Sequence, residues 1–181
     1  MRLKWDSYFM AMAKLAATRS GCNSRPTGAV IVKNNRIIAT GYNGSIAGQS
    51  QCTDKGDKYC LHREKGTDDK GAAKYQDCPS IHAEQNAINY AARYGGISLQ
   101  DAKIYCTLFP CVHCMKNIAS VGIKEVYFEL HYQSSDTLRD EFWKSLAELY
   151  DIKVKAIRLS VDDKGVIFDL MMHETSQRRI E

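Results

Sequence analysis

Apolar residues recur at helical spacing from the start of the chain: Trp5, Phe9, Met12, Leu15 and Ala16 predict an amphipathic first helix. The pattern then changes. Gly28–Lys33 and Arg36–Tyr42 read as two strands, with Asn34 and Asn35 as a two-residue hairpin turn, since asparagine tolerates the positive φ such turns require. Residues 44–80 are polar, rich in Gly, Asp and Lys, and show no hydrophobic period, and a loop of that length inside a compact domain is seldom idle. The stretch from His82 to Tyr94 is alanine-rich and stops at Gly95-Gly96, a helix with a glycine terminator. Lys103–Leu108 reads as a strand, and Pro110 opens a helix over Cys111–Val121. Glu125–Glu129 is a further strand. Asp136–Tyr150 is an amphipathic helix on Leu138, Phe142, Leu146 and Leu149. Lys153–Ile157 is another strand, Val161–Met172 reads as a short hairpin or strand pair, and 177–181 reads as a frayed tail.

Strands alternating with helices in this order predict an α/β fold: a mixed, mostly parallel five-stranded sheet covered on both faces. The crossover helix before 153–157 makes that strand parallel to 125–129. At 181 residues, without an internal repeat or a linker, the chain reads as one domain over 1–181, with an insertion at about 44–80 and a C-terminal extension at about 158–181.

Composition narrows the class. The apolar and charged fractions, 44% and 25%, are those of a globular protein. No apolar run reaches 18 residues, so no membrane partner is expected. Asp6 interrupts what could pass for a targeting peptide, so the N-terminus is read as a structural helix. A net charge of +4 suits a phosphorylated small molecule and does not demand a polymer. Seven cysteines, an odd number without a secretory leader, point to metal-bound thiolates in a reducing compartment rather than a disulfide framework. The expected location is the cytoplasm, or the host cytoplasm for a virally encoded chain.

The chemistry concentrates in His82-Ala83-Glu84 and Pro110-Cys111-Val112-His113-Cys114. One histidine and two cysteines give a metal three protein ligands and leave a fourth tetrahedral position for water, the catalytic rather than the structural layout of zinc. Cys111 and Cys114 are i and i+3 on one helix face, and both pairs begin helices, whose N-terminal dipoles favour thiolate. Both helices follow strands, at the carboxyl ends where open α/β sheets bind ligands. Zinc there lowers the pKa of water towards roughly 7. Glu84, kept out of the ligand set, is the expected proton shuttle from water to ring nitrogen and leaving amine.

The pairing of H-x-E with P-C-x-x-C is the zinc deaminase pattern. With Pro26–Val32, Gly41–Gly44, Ile81–Ile88 and Thr107–Cys114, the chain resembles the cytidine deaminase superfamily and, within it, the deoxycytidylate (dCMP) deaminases, over about residues 5–157. The resemblance implies a three-layer α/β/α fold and hydrolysis of dCMP to dUMP, the thymidylate precursor. It also implies a homo-oligomer, often a hexamer, activated by dCTP and inhibited by dTTP, with Mg2+ accompanying the triphosphate. His82, Cys111 and Cys114 match the catalytic zinc ligands, and Glu84 matches the shuttle. Asn43 matches the residue orienting sugar and base, and Gly41, Tyr42, Asn43 and Gly44 match an effector-binding turn. The Ala83 amide and the Leu108 or Phe109 carbonyl are candidates to read the pyrimidine edge, and Tyr132 to border the nucleotide. Ser24–Gly28 is shorter than the matching stretch of many relatives; Arg25 within it is a candidate phosphate or effector contact.

Some dCMP deaminases carry a second, structural zinc at positions corresponding to Cys22, Cys52, Cys60 and Cys78, with His62 as substitute ligand. Four thiolates close a tetrahedral site, and metal binding would fold a loop that has little apolar content. Cys106 reads as a buried small hydrophobe in a strand, and His113, His131 and His173 as surface or packing residues. Two other classes share the zinc motif. A tRNA or single-stranded DNA base deaminase needs a basic, aromatic-lined track, whereas here the Lys and Arg residues are dispersed, so no nucleic acid polymer is expected as partner. A non-catalytic nucleotide-sensing zinc module would not need Glu84.

Overall fold

The computed structural model describes residues 2–56, 59–60, 78–131, 142 and 145–172. Five strands carry the fold: β1 (Gly28–Lys33), β2 (Arg36–Tyr42), β3 (Lys103–Leu108), β4 (Glu125–Leu130) and β5 (Lys153–Ala156). They lie in the order β2-β1-β3-β4-β5. β1 is antiparallel to both neighbours, and the β3–β4 and β4–β5 pairings are parallel. Four strands therefore run in one direction and β1 runs against them. Asn34 and Asn35 take φ values of 51° and 56°, the left-handed pair that a tight primed turn requires.

Helix α1 (Trp5–Ala17) covers one face of the sheet. Its buried residues are Ser7, Phe9, Met10 and Ala13. The inward stripe is thus rotated from the one expected, leaving Trp5 and Leu15 about half exposed. Phe9, Met10 and Ala13 pack with Val30, Val32, Tyr105 and Tyr127. Two polar contacts reinforce that face: the Tyr105 hydroxyl donates to Asp6 Oδ1 at 2.7 Å, and Lys14 pairs with the buried Glu129.

The opposite face carries α2 (Ala83–Tyr90), which continues through a π turn (Ala91–Gly95), and α3 (Val112–Ser120). Ala83, Ala87, Met115 and Ile118 from these helices pack on Ala29, Ile31, Ile104, Cys106 and Val126. A short helix, α4 (145–149), adds the buried Leu146 and Ala147, while Phe142 and Leu149 are exposed. Leu138 and most of the first half of that expected helix lie outside the described residues.

Two expectations are corrected. Val161–Met172 forms a helix, α5, and not a strand pair. Its start is held by reciprocal bonds, the Asp163 amide donating to Ser160 Oγ and the Ser160 amide to Asp163 Oδ2, each 3.0 Å. That S-x-x-D capping box satisfies two of the amides a helix start leaves orphaned. Pro110 is not in the first turn of α3 but precedes its N-cap, Cys111.

Candidate metal centre and active site

α2 and α3 deliver their first turns to the same place. Each begins with a capping residue in extended conformation, His82 for α2 and Cys111 for α3, and neither has a side-chain cap. The orphan N–H groups of both helix starts therefore face this region, a setting that favours anionic ligands. α2 reaches it because Gly41 in β2 has no side chain. A Cβ there would stand 2.2 Å from the Ala83 carbonyl oxygen and 2.4 Å from the Ala87 nitrogen. A bridge between Gly44 and Ile81 then brings the end of β2 to the residue before His82.

His82 Nδ1 lies 3.4 Å from Cys111 Sγ and 3.4 Å from Cys114 Sγ. All three donor atoms lie within 4.8 Å of one another, and among the described residues this is the one such group. The nitrogen-and-two-thiolate set fits zinc, and three ligands leave a position open. Hydrogen bonding to Cys111 raises the His82 pKa. The Cys114 thiol donating to Cys111 pulls the Cys111 thiol down to about 4, with His82 adding to the effect, and pushes Cys114 up.

Glu84 is 4% exposed. Burial raises its pKa to about 6, against the pull of its own backbone amide and of His82. A carboxyl balanced there exchanges protons readily near neutral pH. Cys106, buried as expected, lies close enough to Glu84 for the carboxylate to help burial raise the Cys106 thiol.

Asn43 is a loop strut. Its Oδ1 accepts from Ser20 Oγ at 2.7 Å and from the Thr27 amide at 2.8 Å, while its Nδ2 donates to the Arg25 carbonyl at 2.9 Å. One Nδ2 hydrogen remains for a ligand. The sequence did not flag Ser20 and Thr27 as its partners, nor Asn86, whose side chain donates to the Tyr42 carbonyl at 2.8 Å. Tyr42 is partly exposed and Gly41 is covered by α2, so only part of the expected effector turn is open. Ala83 is the first residue of α2, and Arg25 is tied to Asn43 through its carbonyl. Leu108 ends β3 opposite Leu130, and the Phe109 amide donates to the Leu130 carbonyl at 2.9 Å. Tyr132 and His62 lie outside the described residues.

Among the described residues, Cys22, Cys52, Cys60 and Cys78 do not draw together into a donor group as His82, Cys111 and Cys114 do. Burial raises the Cys78 thiol, and the charges of Cys22, Cys52 and Cys60 raise it further, so all four are electrostatic neighbours. Asn23 ties the 44–60 segment down, its Nδ2 donating to the carbonyls of Cys52, Gly56 and Tyr59 at 3.2, 2.8 and 3.0 Å.

Residues 3–130 match the model of the cytidine and deoxycytidylate deaminase zinc-binding region. The chain is 41% identical to ComE operon protein 2 of Bacillus subtilis over 141 residues, 78% of this chain and 67% of that one. It is 40% identical to the deoxycytidylate deaminase of Schizosaccharomyces pombe over 131 residues, 72% of this chain but only 38% of that protein. Among solved structures, dCMP deaminase from cyanophage S-TIM5 in complex with dCMP and dUMP superposes with a TM-score of 0.64. The match has 27% identity and covers 87% of this chain and 99% of that one.

Proposed function

Because the chain belongs to the cytidine and deoxycytidylate deaminase family, we propose that it hydrolyses dCMP to dUMP and ammonia at a zinc ion held by His82, Cys111 and Cys114. The observation that carries this reading is the buried Glu84, two residues from one ligand and with its pKa raised to about 6. Such a carboxylate is useless to a structural metal clip and apt for proton transfer. The deoxycytidine nucleotide is supported by the S. pombe relative's name and by the dCMP and dUMP bound in the cyanophage enzyme.

Zinc at this site supplies Lewis acidity that makes water a better acid. Glu84 accepts a proton from water and donates it to the pyrimidine ring nitrogen. It then takes the second proton from the hydroxyl added at the reacting carbon and passes it to the amine, which leaves as ammonia while that carbon keeps the oxygen as a carbonyl. Burial suits it to both directions, because neither protonation state is strongly preferred near pH 6. The Ala83 N–H at the start of α2 and the carbonyl of Leu108 or Phe109 hold the pyrimidine edge. Asn43 fixes the 25–27 loop and offers its remaining N–H to the sugar. Arg25 and Tyr132 complete the nucleotide contacts.

The reading extends to a second, structural zinc on Cys22, Cys52, Cys60 and Cys78, with His62 as substitute. It also includes a single deaminase domain over 1–181 and a homo-oligomer, a hexamer, in the cytoplasm. Activation by dCTP and inhibition by dTTP, with Mg2+, act through Gly41–Gly44, and the product feeds thymidylate synthesis. A panel of dCMP, CMP, dCTP, deoxycytidine and a short oligonucleotide tests it, followed by loss of cytosine absorbance. Turnover of dCMP in preference to the others, with a saturation curve shifted by dCTP or dTTP, is the expected result. Preference for the oligonucleotide would replace it with a nucleic acid deaminase.

A further inference from the structure

Three contacts join the end of β2 to the start of α2. Gly41 lies against Ala83 and Ala87, with no room for a Cβ. Gly44 bridges to Ile81, the residue before His82. Between them, Asn86 Nδ2 donates to the Tyr42 carbonyl at 2.8 Å. The first contact is steric and sets a distance. The third is directional and is made by a side chain. β2 is an edge strand, paired with β1 alone among the described strands, so its end depends on such ties. Asparagine is among the weaker helix formers, so helix propensity does not account for it in the alanine-rich α2.

Asn86 holds two segments at once. Its amide donates to the His82 carbonyl at 2.9 Å, a bond of the first turn of α2. Its side chain holds the Tyr42 carbonyl. That carbonyl shares one planar peptide with the Asn43 N–H, which donates to the Thr27 carbonyl at 3.1 Å. The Tyr42–Asn43 peptide is thus gripped from both sides, by α2 through Asn86 and by the 25–27 loop through Thr27. The Asn43 side chain uses Oδ1 on Ser20 and Thr27 and one Nδ2 hydrogen on Arg25. With that side chain so tied, the direction of its remaining N–H follows from the placement of its backbone.

We propose that Asn86 is a positioning residue: by holding the Tyr42 carbonyl it fixes the Tyr42–Asn43 peptide, and so the aim of the remaining Asn43 N–H at the substrate, relative to the helix that carries Glu84. The inference rests on the deaminase reading and adds to it the link between nucleotide recognition and the proton-transfer helix.

The test is steady-state dCMP kinetics of the zinc-loaded full chain in a double-mutant cycle of Asn86→Leu with Asn43→Ala. Leucine is close to asparagine in size, favours a helix and has no donor. Asn86→Leu alone is expected to raise KM for dCMP roughly threefold to tenfold, the range for one net hydrogen bond. Its kcat should stay within about twofold of the parent, with zinc content unchanged. In the Asn43→Ala background, where the N–H being aimed is gone, the same substitution should change KM by less than about twofold. Asn86→Ala, carried through the same cycle, should give the same pattern and guards against a clash made by leucine. A parental KM in both Asn86 variants overturns the proposal. So does a KM effect that persists in full in the Asn43→Ala background. A loss of zinc or of kcat in step with KM, in both variants, would mark Asn86 as part of the helix packing and overturn it too. If the parent does not deaminate dCMP, the deaminase reading fails and takes this inference with it.

Discussion

Gly41 and Ala83 meet so closely that a Cβ on Gly41 would stand 2.2 Å from the Ala83 carbonyl oxygen. Ala83 lies between His82 and Glu84, so this contact sets the depth at which a metal ligand and the proton-shuttling carboxylate approach the sheet. Gly41→Ala is expected to push α2 away, costing about 1–3 kcal/mol of stability by overpacking. It should also lower kcat by more than tenfold, because catalysis is sensitive to displacements of about 1 Å. Thermal denaturation and dCMP turnover check both. An active variant of parental stability would show that α2 has slack here.

Asn43→Ala leaves the Thr27 amide without its acceptor and the Ser20 hydroxyl with only the longer bond to the residue 43 carbonyl, 3.1 Å. The expected destabilisation is roughly 1–3 kcal/mol. KM for dCMP should rise as the 25–27 loop loosens. Denaturant unfolding and saturation kinetics measure the two effects. A changed KM at unchanged stability would make Asn43 a ligand contact alone.

The proposed second, structural zinc would have to draw Cys22, Cys52, Cys60 and Cys78 together. Metal analysis of the purified chain should find about two zinc ions, and Cys52→Ser about one, with a lower melting temperature, since structural zinc contributes folding energy. A parental content of about one, unchanged in Cys52→Ser, would remove the structural site and leave Asn23 as the anchor of this segment.

Glu84 has to be charged to accept a proton. Burial raises its pKa to about 6, while a bound cation beside it draws the value down. Because the group is an acid whose ionised form is the active one, rate is lost as pH falls and not as it rises. The acid limb of kcat should therefore centre at or below about pH 6. A midpoint above about pH 7 would contradict the assignment of that limb to Glu84.

Much of this was legible in the chain. Strand periodicity placed all five strands, and Asn34-Asn35 announced the hairpin by the conformations asparagine tolerates. H-x-E and C-x-x-C located the centre because a metal site needs particular donors at particular helical spacing. α5 was misread because its apolar residues, Val166, Ile167, Phe168, Leu170, Met171 and Met172, crowd together without a clean stripe, and two of them are β-branched. Ser160-x-x-Asp163 was the available signal of a helix start, and it was not used. The inward stripe of α1 was set by its docking on Val30 and Tyr105, a tertiary fact that spacing alone does not carry. Contacts such as Asn43 with Thr27, or Gly41 with Ala83, join segments distant in the chain, and no local pattern encodes them.

The most direct test of the central claim compares the parent protein with Glu84→Gln on dCMP, with zinc measured in both. The parent should release ammonia and form dUMP. Glu84→Gln should keep the parental zinc content and lose at least about a hundredfold in kcat, the loss expected when a general acid–base is removed. Turnover near the parental rate in a zinc-replete Glu84→Gln protein would contradict the account, because the buried carboxylate would then not be the group that moves the proton.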